Sequence, residues 1–360
     1  MNSNIFDTNK KIKVLVVDDS ALMRKIITDI LNSDSRISVV DTARNGVEGL
    51  EKAHILKPDV ITLDVEMPQK SGIETLEEIM KTIPTPVIML SSLTQEGAQI
   101  TQRAFSLGCV DCVGKPSGHI SLNLAEVGNE IIEKVIIAST VNIKRAAKIS
   151  SEFNISNRLP IGASFQNKRK EILVIGASTG GPLALQQVIS SIPANFPVPI
   201  AIVQHMPLNF TSSFAKRLES ISQLHVMEGY EGLELCSGMA VVAPSGKHML
   251  LKRKNDGIFC NLSDAPPVLS VKPAANILFM SAADEFSGKV VCVILTGMGR
   301  DGTDGAIALH NKGAHIIAES KETCIIYGMP KSVIEAGVVD QVLPLHDIAG
   351  AIIKCVGGAL

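Results

Sequence analysis

Short apolar runs that alternate with helical patterns are the feature that most restricts how this sequence can fold. The segments between the runs, such as Ala21–Asn32 and Gly72–Thr82, carry apolar residues at helical spacing. This alternation is typical of parallel βαβ units, whose helices cover both faces of the sheet. In the first part of the chain it predicts five strands: Lys13–Val17, Ser38–Thr42, Asp59–Leu63, Pro86–Leu90 and Cys109–Val113. These units end near Ala138, so residues 1–138 form one predicted α/β domain.

A polar segment separates these units from a second set. Residues 139–169 contain the runs KRAAK, SSEFNISN and QNKRK, and the loss of apolar periodicity predicts an interdomain linker. Residues 170–360 form a second predicted α/β domain, as a chain of 360 residues allows. Its predicted strands are Ile172–Ile175, Ile200–Gln204, Met239–Ala243, His248–Lys252, Val290–Thr296 and His315–Ala318. The close succession of strands between Met239 and Leu262 predicts an antiparallel hairpin.

Composition excludes several classes of protein. Hydrophobic residues make up 46% of the chain and charged residues 19%, which predicts folded domains and not disorder. No apolar run approaches the roughly 18 residues of a membrane span, and the segment MNSNIFDTNKK lacks the apolar stretch of a signal peptide. We therefore expect a cytoplasmic protein whose seven cysteines are mainly small buried residues and do not form a disulfide framework. A net charge of −2 disfavours nucleic-acid binding.

Five polar side chains lie at the carboxyl ends of predicted strands in the first domain: Asp18, Asp19, Asp64, Ser91 and Lys115. Because these strand ends meet at one edge of a parallel sheet, we expect the side chains to converge. Three clustered carboxylates repel one another unless a cation neutralises them, and an oxygen-only cluster suits Mg²⁺. The hydroxyl and the ammonium group could hold the oxygens of an incoming phosphoryl group. Any single strand-end aspartate is more often a helix cap, but five matched positions favour a phosphoryl-accepting site.

Residues 11–135 resemble the receiver domain of two-component response regulators. The resemblance rests on the acidic pair Asp18–Asp19, on Asp64 before VEMP, on Ser91 in MLSS and on Lys115–Pro116. It implies a flavodoxin-like, doubly wound fold and phosphorylation of Asp64 by a chemotaxis histidine kinase. It also implies Mg²⁺ held by Asp18, Asp19 and Asp64, with Ser91 and Lys115 contacting the phosphoryl group.

The sequence departs from the receiver pattern at Cys112, where such domains usually carry an aromatic residue. A ring that swings between two positions is therefore absent, which predicts a weak response to phosphorylation. Cys109 and Cys112 also form a C-x-x-C pair, an alternative signal for redox or metal chemistry. No second pair accompanies it in the sequence, so we expect two packing residues.

The second domain carries a candidate nucleophile in Gly176-Ala177-Ser178-Thr179-Gly180, which fits the G-x-S-x-G pattern of a serine presented by a sharp strand-to-helix turn. His205 ends the next strand and could act as its base, and Asp301 follows a later strand and could orient the imidazole. Taken singly, each residue has a duller interpretation, as a helix cap or a packing histidine.

Two enzyme patterns fit this region less well. A dinucleotide site would need G-x-G-x-x-G and an acidic residue after the next strand, whereas the chain has G-x-x-x-G-G, and its next strand ends in Gln-His. In α/β-hydrolases the acid precedes the histidine, whereas Asp301 follows His205. The pattern therefore indicates a serine hydrolase of another lineage.

Residues 170–358 resemble the chemotaxis protein-glutamate methylesterases, on the segments GASTGGP, QHMP, VVAPSGKHM, ILTGMGRDG and YGMPKSV. The resemblance implies a doubly wound parallel α/β methylesterase domain with Ser178 as nucleophile, His205 as base and Asp301 as orienting acid. Backbone amides near Thr179 and Met298 would bind the oxyanion, and no cofactor would be needed in this domain. It also implies hydrolysis of glutamyl methyl esters on methyl-accepting chemotaxis receptors, deamidation of receptor glutamines, and attachment to membranes only through those receptors.

Three positions depart from the methylesterase pattern. The family usually shows an acidic residue at Asn276, an arginine at Met280 and a histidine at Met239, and we expect these positions to lie near the substrate surface. Two other functions remain as alternatives at this stage. One is a partner-binding signalling protein that keeps the fold but is catalytically weakened. The other is a DNA-binding response regulator, which the large second α/β domain disfavours.

Overall fold

A computed structural model describes residues 11–115, 122–141, 143, 164–165 and 170–359. The chain divides into two compact units, Met1–Ala147 and Lys148–Leu360. In the part of the chain that the structure describes, no helix combines the length and apolarity needed to cross a bilayer.

The first unit is a five-stranded sheet with connecting helices. Its strands are β1 (Ile12–Val17), β2 (Ile37–Ala43), β3 (Val60–Asp64), β4 (Val87–Ser91) and β5 (Asp111–Gly114). Its helices are α1 (Ala21–Asn32), α2 (Gly46–Leu56), α3 (Gly72–Thr82), α4 (Gln95–Ser106) and α5 (Leu122–Ala138). The strand order is β2-β1-β3-β4-β5, and every neighbouring pair is parallel. The predicted doubly wound fold of this unit is confirmed.

Burial and capping explain why these segments adopt their structures. Every residue of β3 and of β4 is buried, as in a strand covered by helices on both faces. Helix α1 begins after Ser20, whose side chain accepts a hydrogen bond from the Met23 amide. Helix α3 begins with a capping box between Ser71 and Glu74.

The start of β5 differs from the sequence-based prediction, which placed it at Cys109. The Cys109 amide donates to the Ala104 carbonyl (3.1 Å), and Gly108 adopts a φ of +97°. Cys109 therefore belongs to the turn that ends α4, and β5 begins at Asp111. Apolar residues on both sides of this boundary hide it from a hydropathy pattern.

The second unit is built on a seven-stranded parallel sheet. Its strands are β7 (Ile172–Ala177), β8 (Ile200–Gln204), β9 (His225–Glu228), β11 (Met239–Val242), β14 (Val290–Ile294), β15 (His315–Glu319) and β16 (Gln341–Leu343). The order is β16-β15-β14-β7-β8-β11-β9, with every neighbouring pair parallel. The chain starts in the central strand β7, adds strands on one side, and returns to add β14 on the other. The triad candidates follow β7, β8 and β14, which are neighbours at this switch point.

Smaller sheets and helices complete the unit. The remaining strands are β6 (Ser164–Phe165), β10 (Glu234–Leu235), β12 (His248–Lys254), β13 (Gly257–Ser263) and β17 (Gly358–Ala359). The helices are α6 (Gly181–Ser190), α7 (Phe210–Ile221), α8 (Ala275–Phe286), α9 (Thr303–Asn311), α10 (Met329–Glu335) and α11 (Leu345–Cys355). Strands β12 and β13 form the predicted antiparallel hairpin, with β10 beside β13. Strand β6 pairs with β17, so two residues of the predicted linker pair with the end of this unit.

Two hydrophobic cores lie on opposite faces of the large sheet, as the alternation of β7 shows. Leu173 and Ile175 pack into one core, which also contains Phe214 of α7. Ile172 and Val174 pack into the other, which also contains Phe279 of α8. The rigid sheet between them fixes the positions of its strand ends.

Candidate active site and acidic pocket

Ser178 lies in the turn between β7 and α6. Its amide donates to the Thr296 carbonyl (3.1 Å), and its own carbonyl accepts from the Gly181 amide (2.7 Å). Gly180 has a φ of +79°, in the left-handed region that favours glycine. A β-carbon on Gly297 would lie 2.7 Å from Ser178 Cβ, so glycine permits the segment after β14 to pass beside the serine. The turn therefore holds a half-buried serine at the carboxyl edge of the sheet.

His205 is the neighbour of Ser178 across adjacent strands. The last residues of β7 and β8, Ala177 and Gln204, are paired, and the His205 amide donates to the Ala177 carbonyl (3.2 Å). The Gln204 side chain joins the two candidates directly: its Nε2 donates to the carbonyls of Ser178 and of His205, both at 2.9 Å. Gln204 is 1% exposed, and it is not among the site residues predicted from the sequence. The sequence feature that could have identified Gln204 is its place as a polar residue at the end of an apolar strand.

The carboxylate of Asp301, the third candidate residue, contacts His205. Oδ2 lies 2.8 Å from His205 Nε2, and the Asp301 residue is only 3% exposed. The first two amides of α8 also donate to this carboxylate, Ala275 to Oδ2 (2.6 Å) and Asn276 to Oδ1 (3.0 Å). Burial by itself would raise the pKa of Asp301, but the hydrogen bond and charge of His205 and the two amides outweigh it and lower the pKa. The acid is therefore held ionised.

The contact with Asp301 shows which nitrogen of the His205 imidazole carries the hydrogen. Because Nε2 donates to Asp301, Nδ1 is the nitrogen that keeps its lone pair. The His205 side chain is 13% exposed, so the imidazole is largely shielded from solvent but still accessible. The arrangement has the chemical parts of an activated serine: nucleophile, base and orienting carboxylate.

The two proposed oxyanion residues lie beside the serine. Thr179 follows it directly, is buried, and accepts a hydrogen bond from Thr296 Oγ1 at its carbonyl (3.0 Å). Met298 follows Gly297, the residue packed against Ser178. Thr296 thus ties the segment that leads to Met298 to the segment that carries Ser178 and Thr179.

The first unit gathers its acidic residues as the sequence predicts. One carboxylate oxygen each from Asp18, Asp19 and Asp64 lies within 4.8 Å of the others. Asp18 and Asp64 are buried, whereas Asp19 is exposed. Lys115 Nζ lies 2.9 Å from Asp18 Oδ2 and 2.7 Å from Asp64 Oδ2. The cluster is an oxygen-only donor set with excess negative charge, which fits Mg²⁺.

Burial and ion pairing shift the pKa values of Asp64 and Lys115. Burial, aided by the Asp18 carboxylate, raises the pKa of Asp64 to about 6 despite the ion pair with Lys115. Burial alone would lower the pKa of Lys115, but the two carboxylates raise it. Ser91 is fully buried at the end of β4, where its carbonyl accepts from the Lys115 amide (2.8 Å). This backbone bond holds the end of β4 next to Lys115, whose ammonium group contacts Asp64, while Ser91 Oγ donates to the Ser92 carbonyl (3.3 Å).

Family models match both units. The model described as CheB methylesterase matches residues 173–352, and the response regulator receiver domain matches residues 14–125. A relative from Oceanobacillus iheyensis, named protein-glutamate methylesterase/protein-glutamine glutaminase, is 46% identical over 348 residues, covering 96% of this chain and 99% of the relative. A relative of the same name from Thermotoga maritima is 45% identical over 349 residues, covering 97% and 100%. The chain belongs to the CheB methylesterase family.

A solved structure agrees with this assignment. The crystal structure of the Thermotoga maritima CheB methylesterase catalytic domain aligns with a TM-score of 0.51 at 46% identity, covering 52% of this chain and 99% of that domain. The fold and the family predicted from the sequence are confirmed, and the enzyme class follows from the family.

The three departures from the CheB methylesterase pattern lie in different surroundings. We expected all three near the substrate surface; one is buried beside Asp301, one lies at the amino edge of the sheet, and one is exposed. Asn276 is 2% exposed, and its backbone amide donates a hydrogen bond to Asp301. Its side-chain Oδ1 accepts from the Gly305 amide (2.9 Å). Met239 begins β11 and lies at the amino edge of the sheet, away from the triad candidates. Met280, one turn along α8 from Asn276, is 39% exposed.

Cys112 and Cys109 are both packing residues. Each is free and buried, and burial raises the pKa of both thiols. Lys134 of α5 donates to the Cys112 carbonyl (2.7 Å) and lies 3.2 Å from Asp111. Buried, protonated thiols react slowly in redox chemistry and bind metals poorly, because the thiolate is the reactive form. The C-x-x-C pattern here is therefore incidental.

Proposed function

We propose that this chain is a phosphorylation-regulated enzyme that hydrolyses glutamyl methyl esters on methyl-accepting chemotaxis receptors and deamidates receptor glutamines. The observation that carries the proposal is the contact between His205 Nε2 and Asp301 Oδ2 beside Ser178. Two long relatives bear the names of both activities. A catalytically weakened partner-binding protein is less well supported, because such a protein would not need to keep this contact.

In the proposed reaction Ser178 Oγ attacks the ester carbonyl while His205 Nδ1 accepts the hydroxyl proton. Asp301, kept ionised, stabilises the imidazolium and fixes its orientation. The tetrahedral intermediate then collapses, the alkoxide leaves with the proton from His205 as methanol, and an acyl-enzyme remains. Water, deprotonated by the same imidazole, releases glutamate and restores Ser178. With a glutamine side chain the leaving group is ammonia.

Backbone amides are proposed to stabilise the charge that develops on the carbonyl oxygen. The amides near Thr179 and Met298 flank Ser178, and α6 begins at Gly181 with its positive end toward the same place. Thr296, two residues before Met298, accepts from the Ser178 amide and donates to the Thr179 carbonyl, and so holds the segment that leads to Met298 against the segment that carries Thr179.

Control is proposed to act through Asp64, phosphorylated by a chemotaxis histidine kinase. Asp18, Asp19 and Asp64 would hold Mg²⁺, which when bound neutralises the phosphoryl oxygens. Ser91 and Lys115 would contact the phosphoryl group after transfer. We expect the unphosphorylated first unit to restrain the esterase and phosphorylation to relieve this restraint.

The test is methanol release from a methylated chemoreceptor in membranes, with and without acetyl phosphate and Mg²⁺. Ser178→Ala should lower the rate by roughly three to six orders of magnitude, because the nucleophile is lost. Ser220→Ala, at an exposed position of α7, is the matched control and should match the wild type. Asp64→Asn should remove the response to acetyl phosphate. Equal rates for wild type and Ser178→Ala would instead support the partner-binding alternative.

A further inference from the structure

His248, at the start of β12, is a buried histidine outside the group of catalytic candidates. Its relative exposure is 0%, and both ring nitrogens make hydrogen bonds. Nε2 lies 3.0 Å from the Pro266 carbonyl oxygen, and Nδ1 lies 3.1 Å from the Ala274 amide nitrogen.

These two partners determine the state of the ring. A carbonyl only accepts, so Nε2 carries the hydrogen, and an amide only donates, so Nδ1 carries the lone pair. His248 is therefore neutral, with its hydrogen on Nε2. A protonated ring would have no acceptor for the Ala274 amide.

The Ala274 amide lies immediately before the two amides that hold Asp301. Ala274 is the N-cap of α8, and its side chain offers no capping hydrogen bond. The next two amides, of Ala275 and Asn276, donate to the two oxygens of Asp301. The point at which α8 begins thus sets the plane of the carboxylate.

We propose that His248 is a positioning residue for the catalytic acid. Its Nδ1 fixes the start of α8, the first two amides of α8 fix Asp301, and Asp301 orients His205. The proposal rests on the proposed function, since it assigns Asp301 the role of catalytic acid. It differs from a purely structural role, in which His248 only anchors the loop that contains Pro266.

The two ring contacts can be removed one at a time. Asparagine places its side-chain oxygen near the position of Nδ1, so His248→Asn keeps an acceptor for the Ala274 amide and loses the contact with Pro266. Glutamine places its side-chain amide nitrogen near the position of Nε2, so His248→Gln keeps the donor to Pro266 and loses the acceptor. Both variants leave Ser178, His205 and Asp301 unchanged.

The experiment measures kcat and KM for methanol release by the full chain, together with the rate at which phenylmethanesulfonyl fluoride modifies Ser178. His248→Gln should lower kcat and the modification rate by about tenfold to a hundredfold with little change in KM, because misplaced catalytic groups cost rates of this order. His248→Asn should stay within about threefold of the wild type, as a less disturbed triad requires. His225→Gln, at an exposed histidine, is the control.

The outcomes separate this inference from the proposed function. Equal losses in the Asn and Gln variants, or unchanged kcat in the Gln variant, would overturn the positioning role. If no variant releases methanol but the modification rates follow the predicted order, the inference stands and the proposed substrate is wrong. A wild type whose Ser178 is not modified would overturn both.

Discussion

Replacing the buried acceptor Asp64 by asparagine should stabilise the first unit, and the gain should grow with pH. The carboxyl group is 1% exposed, and burial raises its pKa from 3.8 to about 6. The difference of about two pKa units corresponds to about 3 kcal/mol at about 1.4 kcal/mol per unit. Asparagine fills the same space without a charge, so it escapes this penalty.

The direction follows from proton binding. Below pH 3.8 Asp64 is protonated in both states and contributes no pH dependence. Between 3.8 and about 6 the native protein keeps a proton that the unfolded chain has lost, so the free energy of unfolding falls as the pH rises. Above about 6 the full deficit of about 3 kcal/mol persists. The stability of Asp64→Asn relative to the wild type should therefore rise through this window and then level off.

Amide hydrogen exchange in β1 and β3 measures this difference directly. Wild type and variant are compared at the same pH, with a chelator present, under conditions in which exchange requires unfolding. The wild-type rate should exceed the variant rate by a factor that grows about a hundredfold between pH 4 and pH 7.5, as about 3 kcal/mol requires. The fluorescence of Tyr230 and Tyr327, the two tyrosines of the chain and both in the second unit, provides an unchanged control. A rate ratio that is constant with pH, or that falls, would refute the reasoning.

Two further predictions concern the two sites. Gln204→Met should lower kcat for methanol release by about tenfold or more, because it removes the bridge between the Ser178 and His205 carbonyls; the Ser178 carbonyl keeps the Gly181 amide, but the His205 carbonyl loses the Gln204 donor. A kcat equal to that of the wild type would show that the strands alone set the spacing. Phosphorylation should activate the wild type only weakly, because Cys112 lacks a ring that can change its contacts between two states. Cys112→Phe should widen the ratio of phosphorylated to unphosphorylated activity, at an overpacking cost of about 1–3 kcal/mol in this buried site. A strong wild-type response, unchanged by the substitution, would contradict this idea.

The sequence alone was enough to predict the features that depend on where the strands end. Apolar runs located β7, β8 and β14, and the residues after them include Ser178, His205 and Asp301. Strands β8 and β14 lie on either side of β7, so the residues that follow these three strands lie close together at the carboxyl edge of the sheet. This is why the contact between His205 and Asp301 was predictable, although no local pattern joins the two residues.

Features that depend on long-range packing were not predictable in the same way. The role of α8 required knowing that its amino end points at Asp301, and Asn276 was assigned to a surface because its burial is set by Gly305 and Asp301. Met239 was placed near the substrate on the family resemblance alone, although its position at the start of a predicted parallel strand indicates the amino edge of the sheet. Short edge strands such as β9 were missed, since their exposed residues weaken the apolar signal.

The strand order of the second unit has a consequence for synthesis. Ser178 and His205 follow β7 and β8, and Asp301, their proposed acid, is added only after the chain has built β9 to β13 and returned to β14. His205 and Asp301 are 96 residues apart in the chain. At about 5–20 residues per second, the ribosome adds Asp301 roughly 5–20 s after His205. Until then the central strand β7 has an unpaired side, and a nascent chain that carries the nucleophile is not yet an enzyme.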